Sequence, residues 1–443
     1  MTMRAETPID LAFLDDAEFA EGVPANFKGV IPTCQVSPLV KYVEQTGARR
    51  YFRHRQLGDI GDRPGYLPIG MFGSPYHWIA REGQPHSFAA KATSLRTVLE
   101  RYPRLKLLID YSWEAGLPKS FLQEFEGFIA DIQVDPRRVV LLISNRGLEA
   151  RYHAHLASKN RSLTNSWQMI GADLFLMYAG VEFRQRRWFG RPETVISTVE
   201  VEYNARTRRP HKFLSLNRRP RWHRFMLAMT LTRLNMQQQG LSSMPSPAYE
   251  GDWRSEHHML ETFGRMMDPA VWQKLKEVEQ STLAALPWTI DVQIDKSGHT
   301  SGYAFQNPNR EVFLRSYVQI VTETYMEGLP GELFLTEKIC KALANLQPFV
   351  CFGMARTNAR LVELGFEPVN IVYGAYDDEL DVGRRLTRLY HALEQLAGMS
   401  IETIHEAYHA ALPRTSHNQQ RLFDMPELLG DEVASRLRAM LPG

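Results

Sequence analysis

Two short apolar runs joined by one helical pattern constrain this chain most. Residues 317–321 (Tyr-Val-Gln-Ile-Val) and 348–352 (Pro-Phe-Val-Cys-Phe) are too short for packed helices and read as strands of a buried sheet. Between them lie a polar turn with Gly328, Pro330 and Gly331, then a helical pattern over 339–346 with Thr336 as N-cap and Glu337 in its first turn. A further helical pattern after Gly353 carries Leu361 and Leu364. Strand, loop, helix, strand, helix is a βαβ unit, which requires a parallel sheet. At the carboxyl end of its first strand stand Thr322, Glu323 and Thr324, where open parallel sheets place ligand chemistry.

The same alternation predicts a first doubly wound domain over residues 27 to 180. Its strands are 27–32, 105–109, 139–143 and 172–176, and Ser37-Pro38 starts a helix carrying Leu39, Val40 and Val43. Phe121, Phe125, Phe128 and Ile129 recur at three and four, a helix with one apolar face. Residues 58–88, rich in Gly, Pro, Tyr and His, read as loops, and His54, His77 and His86 have no metal-ligand spacing. Asp110 and Glu114 follow the 105–109 strand, so each is either a helix cap or surface carboxylate, or a base at the sheet edge.

A basic, turn-rich stretch over 184–210 leads to a domain link near 204–210. After it come a strand at 212–216, an Arg-rich turn from Asn217 to Arg224 and an apolar helix over 225–234. Guanidinium forks match phosphate oxygens, and a helix N-terminus adds partial positive charge, so this turn suits a diphosphate. Either Arg218 or Arg219 could hold it. Residues 237–256 read as loop, 268–286 as helix and 288–294 as an extended arm. The acidic loop 373–381 (Asp377-Asp378-Glu379) could bind a divalent ion but reads better as a helix start, because the basic loops already neutralise phosphate. Leu386, Leu389, Leu393 and Leu396 then share a helical face, Gly398 stops it and Ser400 caps the last helix. The expected domains are 1–206, 207–385 and a C-terminal helical extension, 386–443.

Composition sets the outer limits. With 443 residues, 44% of them hydrophobic and 23% charged, the chain is an ordinary globular protein long enough for two or three cores. Cys34, Cys340 and Cys351 have no paired spacing and read as reduced thiols. No apolar stretch reaches the roughly 20 residues that span a bilayer, and acidic residues interrupt the N-terminus where a signal peptide is apolar. A cytoplasmic protein is expected. Net charge is only +2, yet residues 184–224 hold twelve Arg or Lys against three Glu, a basic belt able to recruit a nucleic acid. No base-stacking motif accompanies it.

His405-Glu406-Ala407-Tyr408-His409 matches the pattern of a zinc hydrolase, with both imidazoles on one helical face and Glu406 as base. The longer zincin pattern fails. Leu412 stands where its glycine belongs and Thr415 where its third histidine belongs, while His417 comes two residues late.

The order Thr-Glu-Thr, polar turn, Phe-Leu-Thr-Glu-Lys, Ala-Leu, Pro-Phe-Val within residues 312–366 resembles the donor-binding segment of α-1,3-fucosyltransferase-like enzymes and their bacterial and phage relatives. The rest of the chain matches that group only by layout. The resemblance implies the GT-B architecture: α/β, two Rossmann-like doubly wound domains facing a cleft, with C-terminal bracing helices. It implies an inverting glycosyltransferase that takes a nucleotide-sugar donor and needs no metal or other cofactor. Glu337 would bind the ribose hydroxyls, with Thr336 beside it, and Lys338 would meet the diphosphate together with Arg218 or Arg219. By position, Glu323 would face the donor sugar, and Asp110 or Glu114 would be the base. The acceptor is left open: glycan, small molecule, protein or a modified DNA base.

Overall fold

A computed structural model describes residues 8–13, 39, 42–43, 51–70, 88–112, 115–116, 120–188, 191–192, 195–217, 219–247, 253–288, 310–372 and 374–441. The chain divides into two units. Unit 1 comprises Met1–Val181, Leu329–Phe334 and Met425–Gly443, and unit 2 comprises Glu182–Gly328 and Leu335–Asp424.

Unit 1 holds a six-stranded sheet: β1 (Ile9–Phe13), β2 (Phe52–Gln56), β3 (Gly65–Gly70), β4 (Leu105–Tyr111), β5 (Val139–Ile143) and β6 (Gln168–Gly171). Its order is β2-β1-β3-β4-β5-β6, and every neighbouring pair is parallel. The helices are α1 (Leu57–Ile60), α2 (Phe88–Arg101), α3 (Phe121–Ile132), α4 (Arg146–Ser158) and α5 (Leu174–Arg184). All five residues of β5 are buried, as a strand covered on both faces requires. Phe121, Phe125, Phe128 and Ile129 of α3 are buried together, and Trp167 stacks on Tyr152 with centroids 3.9 Å apart while meeting Phe125 edge-on at 4.7 Å. Truncating Phe125 to alanine would cost about 3–5 kcal/mol, the usual penalty for emptying an aromatic site in a core.

Residues 172–176 are not the expected strand. The strand ends at Gly171, and the apolar run from Leu174 continues to Phe183 as α5. A run of that length outgrows a buried strand, and its first residues alone carry no period that separates the two. Gly171 is the last residue of the strand, and the position excludes a side chain, since a Cβ there would lie 2.6 Å from the Asn145 carbonyl oxygen. The expected strand 27–32, the helix start at Ser37-Pro38, and His77 and His86 lie outside the described residues. Leu39 and Val43 are helical and buried.

Unit 2 begins with a two-residue hairpin, β7 (Arg187–Trp188) and β8 (Arg191–Pro192), then α6 (Thr198–Tyr203). Ser197 and Glu200 close α6 with a reciprocal capping box, so local signals inside the basic stretch make ordered structure where turns were expected. The sheet follows: β9 (His211–Leu216), β10 (Gly240–Ser243), β11 (Ser316–Thr322) and β12 (Phe349–Phe352), in the order β10-β9-β11-β12 and parallel throughout. Helices α7 (Trp222–Arg233), α8 (Trp253–Gly264), α9 (Pro269–Lys276), α10 (Glu279–Ala285) and α11 (Arg310–Leu314) fall between β9 and β11. After them come α12 (Glu337–Ala344), α13 (Thr357–Glu363), α14 (Val382–Gly398) and α15 (Ile401–Ala439), whose residues from Met425 on are counted in unit 1. The core joins Phe213 and Leu214 of β9, Tyr317 and Ile320 of β11, Phe225 and Met229 of α7, and Leu389 and Leu393 of α14.

Short polar side chains start these helices. The side chains of Asp268, Thr336 and Asp381 accept from the first-turn amides of α9, α12 and α14. Asp377 accepts from the N–H groups of Asn358 at 2.9 Å and Ala359 at 3.0 Å, capping α13, whose own N-cap residue Arg356 supplies no acceptor. The acidic loop thus serves two helix starts. Among the described residues no helix is long and apolar enough to cross a membrane.

Candidate functional site

In unit 2 the chain leaves β9 for β10 on one side of the sheet, then returns to place β11 and β12 on the other. The crevice between the carboxyl ends of β9 and β11 is therefore the topological switch point, where parallel sheets bind ligands. Asn217 follows β9 there. Its Oδ1 accepts from the Thr322 hydroxyl at 2.5 Å, its Nδ2 donates to Ser215 Oγ at 3.1 Å, and its backbone N–H donates to Ser243 Oγ at 3.1 Å. One buried amide ties three strand ends together.

Glu323 follows β11 and is held at both ends. Its carbonyl oxygen accepts from His223 Nε2 at 2.9 Å and from the Arg224 guanidinium at 3.4 Å. One carboxylate oxygen accepts the Thr336 backbone N–H at 3.3 Å, and the other accepts the Thr336 hydroxyl. Glu323 is 1% exposed, and this burial pushes its carboxyl pKa up against the pull of Lys338 and Thr336. Lys338 Nζ donates to Glu337 Oε1 at 2.8 Å and to the hydroxyls of Thr324 and Thr336 at 3.2 Å each. Burial raises the Glu337 carboxyl, but the Lys338 and Lys341 charges outweigh it and leave that pKa below the usual range. Glu323, Thr336, Glu337 and Lys338, named from the sequence, are thus one hydrogen-bonded cluster.

The feature that the sequence reading missed is Arg224, in the first turn of α7. It is 5% exposed, and among the described residues its guanidinium meets only two carbonyl oxygens, Arg219 O at 3.2 Å and Glu323 O at 3.4 Å, with Nε unpartnered. Among the described residues no carboxylate lies within ion-pair distance of it. Its neighbour Arg221 pairs with Glu256 at 2.8 Å, and the other Glu256 oxygen caps α7 through the Trp222 N–H at 2.7 Å. Burial, reinforced by Arg221, brings the Arg224 pKa down to about 10. A cation here is disfavoured twice, by lost hydration and by the positive end of the helix dipole. An anion in the crevice would relieve both.

His223 is 1% exposed, and burial together with Arg224 pushes its pKa down to about 3. It is therefore a neutral imidazole at pH 7 that donates through Nε2 and leaves Nδ1 unpartnered. The charges of Glu337 and Glu323 act on Arg224, and that of Lys338 acts on His223, so both strand ends share one electrostatic site.

The remaining sequence candidates stand elsewhere. Arg219 is exposed, while Arg218 and Glu114 lie outside the described residues. Asp110, in unit 1, is completely buried. Its Oδ2 accepts the Leu39 N–H at 3.0 Å, and its Oδ1 accepts the Ser112 N–H at 3.2 Å and the Ser112 hydroxyl. This is the cap reading of that carboxylate, with no face left for a substrate proton.

The His405–His409 pair is built into packing. Tyr317 accepts the Arg209 N–H and shares a hydrogen bond with His405 Nδ1, both at 2.8 Å, while Glu406 is exposed. Among the described residues the one trio with metal-ligand proximity is instead His257, Glu261 and Glu279. There the Lys276 ammonium already bonds both carboxylates.

In the sequence Arg224 is one of four arginines between 218 and 224 with no signal of its own; what singles it out is that Trp222 to Leu231 are all buried, so its guanidinium asks for a partner. Comparison with protein families, with curated proteins and with solved structures finds no match for this chain.

Proposed function

We propose that the protein transfers a sugar from a nucleotide-sugar donor to an acceptor hydroxyl, with the donor bound at the switch point of unit 2. The observation that carries this reading is the buried Arg224 guanidinium, without a carboxylate partner, beside the Glu337–Lys338 pair. Arg224 and Lys338 meet the diphosphate, Glu337 accepts from ribose hydroxyls, and the Thr336–Glu323 contact holds the loop that carries them. In the reaction, the acceptor oxygen attacks the anomeric carbon as its proton passes to a carboxylate. The bond from that carbon to the diphosphate breaks, and the nucleoside diphosphate leaves with the electron pair. Fixed cations stabilise the charge that develops on it, which removes the need for a metal ion. With Asp110 engaged as a cap, Glu114 keeps the proposed role of base. A cytoplasmic location belongs to the same proposal.

Calorimetry with UDP, GDP and the matching nucleosides in EDTA tests the reading. At least one diphosphate is expected to bind without metal. Lys338→Ala should weaken it about 10- to 150-fold, the worth of one charge-assisted contact, while leaving the nucleoside unaffected. Binding that requires magnesium or manganese, or equal losses for diphosphate and nucleoside, would remove the shared phosphate site.

A further inference from the structure

An apolar cleft lies in unit 2 at the amino end of β12, away from the carboxyl end that carries Gly353 beside Glu323. It is a cleft of about 500 Å³, open mouth included, walled by Leu343, Phe349, Leu361, Phe366 and Val369.

Two features select an occupant. Val362 lines the cleft and is 50% exposed on a short helix whose neighbour Leu361 is buried, so an apolar surface faces water at the mouth. Glu367 is the one charged residue of the lining. It is exposed, and its carboxylate has no hydrogen-bond or ion-pair partner among the described residues. Its backbone, in contrast, is held firmly. Asn418, 4% exposed, accepts the Glu367 N–H at 2.7 Å and donates to its carbonyl oxygen at 2.8 Å, which sets the residue against the wall. Two side chains of α15 are already engaged, Arg421 by the Leu364 carbonyl at 2.6 Å and His417 by the Gly365 carbonyl at 3.0 Å. The other polar lining residues are neutral.

We infer that this cleft binds a small amine with an aromatic or branched apolar body. The body covers Leu361, Val362 and Phe366, and the ammonium meets the Glu367 carboxylate at the rim. The inference is independent of the donor site.

The test uses the full-length protein and two probes of one size and opposite charge, phenethylamine and phenylacetate, by calorimetry at low salt. Saturable binding of the amine is expected, with the acid weaker by about fivefold or more, as a partly exposed charge pair allows. Glu367→Gln should erase that preference. Val362→Arg, an exposed change that brings a cation and a long stem into the mouth, should abolish amine binding without lowering the melting temperature. No saturable amine binding, equal binding of both probes, or an unaffected Val362→Arg variant would each overturn the inference.

Discussion

Thr336 donates twice to Glu323, through its hydroxyl to one carboxylate oxygen and through its backbone N–H to the other at 3.3 Å. Both residues are 1% exposed, so the contact closes the loop between β11 and α12 out of reach of water. Thr336→Val keeps the shape and deletes the hydroxyl, leaving a buried carboxylate oxygen without its donor. The expected loss is about 1–3 kcal/mol of stability, read from urea unfolding. An unchanged midpoint would show that the contact holds nothing.

The same carboxylate sets a pH dependence. Its folded pKa lies above the 4.5 of the unfolded chain, so the folded state binds the proton more tightly. That contribution is fully present below pH 4.5 and is lost as pH rises through the folded pKa. Glu323→Gln cannot titrate. The stability of wild type minus that of Glu323→Gln should therefore fall as pH rises above 4.5, and a difference that rises instead would reverse the assigned direction.

Arg224 can be separated from ordinary structural residues. Replacing a buried, unpaired cation by an apolar side chain of similar length removes a desolvation cost, so Arg224→Met should leave the melting temperature of the free protein unchanged or raised. Diphosphate affinity should drop about tenfold or more. A variant that melts lower yet binds normally would make Arg224 a packing residue.

His405 is hydrogen-bonded to the Tyr317 hydroxyl at 2.8 Å inside a cluster where the Arg209 guanidinium lies 4.2 Å over the Tyr408 ring. His405→Ala deprives that hydroxyl of this partner and should cost about 0.5–1.5 kcal/mol in urea unfolding. The zinc content of the purified protein, measured by plasma mass spectrometry, should equal that of wild type. Stoichiometric zinc lost in the variant together with a hydrolytic activity would establish the zinc enzyme.

Asp110→Asn turns one acceptor oxygen into a donor facing the donors of Leu39 and Ser112. We expect a stability loss of about 1–3 kcal/mol and unchanged turnover per folded molecule. A fall in turnover of about 100-fold with normal stability is the signature of a base and would return that role to Asp110.

Short-range chemistry made much of the fold legible. β4, β5, β11 and β12 follow from brief apolar runs, α3 from its phenylalanine spacing, and the start of α12 from Thr336, because a strand run or a helix cap is decided within a few residues. The Thr336–Glu337–Lys338 cluster followed for the same reason. Whether a given charge is buried is not decided locally. Arg219 and Arg224 stand five residues apart in one basic turn, yet the first is exposed and the second is 5% exposed beneath the Glu323 carbonyl. Asp110 looked equally able to cap or to catalyse until Leu39 and Ser112 supplied its donors. In each case the deciding atom comes from a segment that packs across in space, so the energy of burying a charge is set by tertiary structure and not by sequence spacing.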